Sequence, residues 1–209
     1  MKKVIVIATL LVLSFSLVFA QNSKAWKRLE NNVMLSAGLF GESGSHAQNV
    51  FPGLALRLSD GLDIRLDEHW SVMPGAGIRA QVGEINHIGW VGGDPESMAQ
   101  ADVFVAARYH FIANSSSIVV GLGPALSYMV VPDSYYIDAD PTDPLNGKEK
   151  FKRFDLGLQP SVTFRHGKHF QWGLEASVGL LNAMKQYPEY RRTGSIHLHY
   201  LTLTCGLHF

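Results

Sequence analysis

Between residues 170 and 180 the chain alternates without a break. Phe170, Trp172, Leu174, Ala176, Val178 and Leu180 share one parity, and Gln171, Gly173, Glu175, Ser177 and Gly179 share the other. Successive side chains of a strand point to opposite faces, so this alternation predicts a strand with one apolar face. The same period recurs seven times. Leu201, Leu203, Cys205, Leu207 and Phe209 oppose Thr202, Thr204, Gly206 and His208. Leu156, Leu158, Pro160 and Val162 oppose Asp155, Gly157, Gln159, Ser161 and Thr163. Similar rows run through residues 120–128, 103–111, 70–78 and 54–66, and a shorter one through 33–40. The pattern predicts eight strands and an all-β fold. Asp60 is the one violation, because it falls on the apolar face of the second strand beside Gly61. A β-bulge there would reset the register, or the outer half of that strand would rise above a membrane.

Most of these rows exceed the ~5–6 residues of a typical soluble strand and match the ~9–11 that cross a bilayer. The connections alternate in length. Residues 67–69, 112–116 and 166–169 are short links, whereas 41–51, 82–99, 132–150 and 182–194 are long. Short turns at one end and long loops at the other are the layout of an outer-membrane barrel. The expected fold is therefore an eight-stranded antiparallel up-and-down transmembrane β-barrel over residues 32–209, with both termini on the periplasmic side.

The N-terminus supports export. Met1-Lys2-Lys3 precedes an apolar run over residues 4–19, and Val18-Phe19-Ala20 places small residues around a cleavage point before Gln21. This is the pattern of a secretory signal peptide at 1–20, followed by a short periplasmic segment at 21–31. Removing Lys2 and Lys3 leaves 16 basic and 18 acidic residues, a net charge of −2. That balance lacks the basic excess of a nucleic-acid binder. Charged residues make up only 17% of the chain, below the ~25% of soluble domains. The single Cys205 excludes an intramolecular disulfide framework.

Five aromatics collect at the short-turn end of the strands: Trp70, Phe111, Phe164, Phe170 and Phe209. Aromatic rings suit the membrane interface, and these five are expected to form a periplasmic girdle. With these features the chain resembles the small outer-membrane β-barrels, a group that includes OmpX-like, OmpA-like and PorT-like barrel proteins. Leu203, Cys205, Leu207 and the terminal Phe209 look like the signal read by the barrel assembly machinery. Residues 60–75, Asp-Gly-Leu-Asp-Ile-Arg-Leu-Asp-Glu-His-Trp-Ser-Val-Met-Pro-Gly, look like the second hairpin of the PorT-like group. The resemblance implies an architecture and no activity.

The inward face carries Arg57, Asp63, Arg65, Arg79, Asp102, Arg108, Asp155, Arg165 and Glu175. An eight-stranded barrel is just wide enough to be filled by side chains. Charges confined there are costly unless paired, so the five arginines and four acids are expected to form an interior network. His197 and His199 share a side near the loop end of the last strand but lack a third metal ligand, and His166 and His169 flank a short turn. The acidic loop with Asp133, Asp138, Asp140, Asp143 and Glu149 matches no EF-hand spacing. Trp90, Tyr135, Tyr136, Tyr187 and Tyr190 are loop aromatics placed to meet a partner or to pack loops together. No catalytic triad, metal site or cofactor motif emerges. The expected role is a monomeric membrane scaffold presenting its loops. It would be embedded in outer-membrane lipid, with an extracellular or periplasmic partner that the sequence does not name. The alternatives are a narrow porin-like pore and a lipid-modifying enzyme, the latter requiring His, Ser and acid residues facing lipid at one depth.

Overall fold

The structure, a computed structural model, describes residues 29–45, 53–83, 96–113, 116–130, 136–137, 139–167, 169–191 and 193–209. The expected signal peptide, Trp90 and Tyr135 lie outside the described residues. Eight strands follow in chain order: β1 (Leu29–Ser43), β2 (Gly53–Arg65), β3 (Trp70–Gly83), β4 (Glu96–Ala113), β5 (Ser116–Val130), β6 (Phe154–His166), β7 (Phe170–Gly179) and β8 (His197–His208). Each pairs antiparallel with its neighbours, and β1 pairs with β8 to close the barrel. This is the up-and-down eight-stranded barrel that the alternation predicts.

Two details differ from that expectation. Strand β1 starts at Leu29, so Leu29, Glu30 and Asn31 belong to the barrel rather than to a periplasmic lead. Polar residues stand on both faces there, which hides the strand from a periodicity argument. Its rungs are nevertheless real: the Asn31 amide donates to Phe209 O at 2.7 Å, and the Phe209 amide to Asn31 O at 3.0 Å. Second, no bulge forms at Asp60. It pairs with Val33 on one side and Ala76 on the other in unbroken register. The carboxylate therefore stays on the outer face, half-buried.

The outer surface is a belt of exposed aliphatic side chains, among them Leu35, Leu54, Leu56, Val103, Leu122, Leu174 and Leu203. A water-soluble monomer rarely exposes a contiguous apolar patch beyond a few hundred Å². Trp70, Phe111, Phe170 and Phe209 are exposed and Phe164 is half-exposed, all at the turn end of their strands.

Three ladders are interrupted, each at a proline. The β2–β3 pairing skips Pro74, the β4–β5 pairing skips Pro124, and the β6–β7 pairing skips Pro160. Proline has no N–H to donate to the ladder. The remaining five ladders run without a gap.

The β2–β3 turn is held by Asp67, whose Oδ1 accepts the His69 and Trp70 amides, each at 2.7 Å. These two bonds, the Trp70 one first, hold its carboxyl below the usual carboxylate range. A lowered folded-state pKa contributes stability above the unfolded value and loses it as pH falls through the folded one. The stability difference between wild type and Asp67→Ala is therefore expected to be full at neutral pH. It should begin to shrink as pH falls below about 4 and be lost once the folded-state carboxyl is itself protonated, as read by acid unfolding of the two proteins.

Candidate functional site

The barrel interior has two tiers. The turn-side tier is ionic. Asp63 is fully buried on β2 and receives Arg108 of β4 at 3.1 Å and Arg165 of β6 at 2.9 Å. Arg165 also reaches Glu30 at 2.6 Å and Asn32 at 2.8 Å. Ser71 and His110 share a 2.7 Å hydrogen bond beside Asp63. Deeper in, Arg57 bridges two acids: it pairs with Asp102 through two nitrogens, and with Glu175 at 2.5 Å. Gly77 makes room for this triad. A Cβ there would stand 3.0 Å from Arg57 Nε and 3.2 Å from Asp102 Oδ1.

Of the nine charges expected in the interior network, six pair deep inside: Arg57, Asp63, Asp102, Arg108, Arg165 and Glu175. Arg65 sits at the rim, 3.7 Å from Glu30. Arg79 and Asp155 depart from the expectation, since they join none of the ion pairs among the described residues. The Arg79 guanidinium lies over the Tyr200 ring at 3.8 Å and approaches Gln100 at 3.4 Å. Asp155 is half-buried at the loop end of β6, and its Oδ1 has no hydrogen-bond partner among the described residues. Glu30 takes a place in the network that the sequence does not reveal, because no period marks the start of β1.

The loop-side tier is apolar, which the expectation of a charged interior did not include. Phe40, Met98, Met129, Leu198 and Tyr200 turn inward at the loop ends of their strands. Phe151, Met184 and Ile196 fold over them from the long connections. The Phe40 and Tyr200 rings are 5.5 Å apart. A bridge between Phe151 and Met184 ties the β5–β6 connection to the β7–β8 connection. The inward parity was the clue available in the sequence: on β1, β4, β5 and β8 it switches from polar to apolar near the long loops.

The loop aromatics are used in that packing. The Tyr187 hydroxyl donates to Glu149 O at 3.2 Å, and Lys148 lies over the Tyr187 and Tyr190 rings at 5.1 and 4.3 Å. Tyr136 bridges to Glu149. Acids of the same loop serve local turns. The Thr142 hydroxyl and amide donate to Asp140 and hold its carboxyl below the usual range, and the Leu145 amide donates to Asp143. Lys185, 2.5 Å away, lowers Glu149 in the same way. Among the described residues, no group of three or more His, Cys, Asp or Glu could hold a metal ion.

His199 faces outward and meets the Ser43 hydroxyl at 2.6 Å through Nε2. Its Nδ1 has no hydrogen-bond partner among the described residues. Serine and histidine are thus together on the outer face, and among the described residues no acid bonds the imidazole as in a triad. At the turn end, His166 Nδ1 lies 3.2 Å from the Ser116 hydroxyl and His169 Nδ1 lies 3.3 Å from His208 O. Leu203, Cys205, Leu207 and Phe209 all face outward.

No family model matches this chain, and no curated protein matches it. Solved structures do. Neisserial surface protein A is 13% identical over 85% of this chain and 96% of its own, with a TM-score of 0.52. OprG of Pseudomonas aeruginosa is 11% identical over 87% of this chain and 95% of its own, with a TM-score of 0.51. At these identities the shared property is the fold: a small eight-stranded barrel of the kind found in outer-membrane proteins.

Proposed function

We propose that this chain is an integral outer-membrane barrel that is closed to solute flow and acts as a scaffold through its loops. The observation that carries the reading is the inversion of a soluble protein's polarity. Aliphatic side chains cover the outside, and buried ion pairs fill the inside. A closed barrel is one of only two ways a backbone can cross hydrocarbon with its polar groups satisfied. In this reading the signal peptide at 1–20 directs export, and the assembly machinery reads the C-terminal row. The short turns and both termini face the periplasm, and the long connections face outward. The packed β5–β6 and β7–β8 connections form the partner-facing surface. The second hairpin's likeness to PorT-like barrels belongs to the same reading.

A pore is the weaker alternative because two barriers stand in series: the Arg57–Asp102–Glu175 triad and the apolar cap above it. Protein reconstituted in planar bilayers is expected to give no stable open state. A large, long-lived conductance would overturn the closed barrel. Extraction tests the membrane reading separately, since release by high salt without detergent would contradict insertion.

A further inference from the structure

The turn end of the barrel carries a cavity of about 600 Å³ that the scaffold reading leaves unused. It crosses the rim of β4, β5, β6 and β7. On the outer side, the register sets Phe111, Ile118, Phe164 and Trp172 side by side on successive strands. Ile118 is the smallest of the four, so a trough runs over it between ring walls. Phe164 and Trp172 stack at 4.7 Å, and Phe111 packs edge-on to Tyr109 at the same distance. The water-side end of the cavity is polar, with Ser116, Ser117, Arg165 and His166 in its lining.

Arg165 gives that end its character. It is 4% exposed, and its two terminal nitrogens serve Glu30, Asn32 and Asp63. Its Nε is closed off from solvent and has no hydrogen-bond partner among the described residues. A cation held this close to the rim favours an anionic group there, because charge in a low-dielectric wall is poorly screened. The surrounding charge has the matching sign: Arg65, Arg108 and Arg165 face only Glu30 and Asp63 in the described ion pairs at this end. An occupant should therefore be anionic at the rim and apolar along the trough.

We propose that this cavity binds one glycerophospholipid of the turn-side leaflet. Its phosphate sits at the polar rim over Ser116, Ser117 and His166, drawn by the positive charge of Arg165 behind them, and an acyl chain lies over Ile118 between Phe111 and Phe164. The proposal rests on the membrane reading above. The trough continues into the exposed Val120 and Leu122 of the same strand, so a chain that enters it stays in apolar surroundings along its length. A free anion would leave the ring-walled trough empty.

The test uses full-length protein in vesicles of phosphatidylcholine and phosphatidylglycerol, released gently and weighed by native mass spectrometry. One retained phospholipid per wild-type barrel is expected. Ile118→Trp fills the trough, and Ser117→Glu sets a carboxylate beside Arg165. Each should lower retention roughly tenfold, the loss of about one good polar or apolar contact. Leu54→Trp, on β2 away from the cavity, should retain lipid like wild type. Heat-modifiable gel mobility confirms that each variant is folded. Equal retention in all four proteins overturns the site, as does tight binding of inorganic phosphate by detergent-solubilised protein without lipid retention. Salt extraction is scored on the same vesicles. A site that fails in protein resisting salt leaves the membrane reading standing, whereas release by salt removes both.

Discussion

Arg57→Gln is expected to be the most damaging single change in the barrel. Arg57 is 1% exposed and is the shared counter-charge of Asp102 and Glu175. Removing it leaves two buried carboxylates facing each other with no cation between them. Breaking a buried pair from one side costs about 3–5 kcal/mol, because the remaining charge keeps its desolvation penalty and loses its partner. Two stranded acids place this case at the upper end of that range. The cost should appear as a large fall in the urea midpoint for unfolding from detergent or vesicles. The triple change Arg57→Met, Asp102→Asn, Glu175→Gln removes every charge of the triad and should recover most of the loss. If the single variant is as stable as wild type, the triad does not hold the interior together.

Phe40→Ala should come next. Phe40 is fully buried, and its ring packs on Tyr200 beneath Phe151, Met184 and Ile196. Deleting a buried phenyl ring costs about 3–5 kcal/mol when neighbours cannot close the void. Closure is restricted here because Phe40, Leu198 and Tyr200 sit on paired strands whose spacing is fixed by their ladder. The second consequence is local. The two long connections rest on this cap, so trypsin should cut after Lys148, Lys152 or Lys185 faster in the variant than in wild type. Unchanged cleavage together with an unchanged midpoint would show that the connections hold their position without the cap.

The lipid-facing half of the fold was legible because an outward row needs only apolar side chains at every second position. Leu54, Leu56, Leu58 and Leu201, Leu203, Leu207 show that row plainly. Strand ends were less legible. Glu30, Asn31 and Asn32 carry polar groups on both faces, so the start of β1 has no period to detect. The interior divides in the same way. Its charges were visible as a set, but their partners were not, since Arg57 meets residues 45 and 118 positions away and only the register brings them together. The apolar cap went unseen for a different reason. A rule that assigns polar residues to the inside discards Phe40, Leu198 and Tyr200, and Phe151, Met184 and Ile196 reach the cap from long connections with no period. The turn-end trough likewise depends on which strands stand side by side around Ile118.

The three strand prolines give the cylinder an uneven grain. A closed barrel abolishes sheet edges, yet Pro74, Pro124 and Pro160 each leave a short stretch where one strand does not grip the next. The barrel is accordingly three unbroken ribbons, a four-stranded one from β7 through β8 and β1 to β2, and the pairs β3–β4 and β5–β6. Each ribbon is joined to the next by a hairpin that is tight at its turn and slack at mid-height. Where hydrocarbon supplies no substitute hydrogen bonds, the wall will breathe first at those three points, spaced around the girth, while the ladder that joins the first strand to the last stays shut.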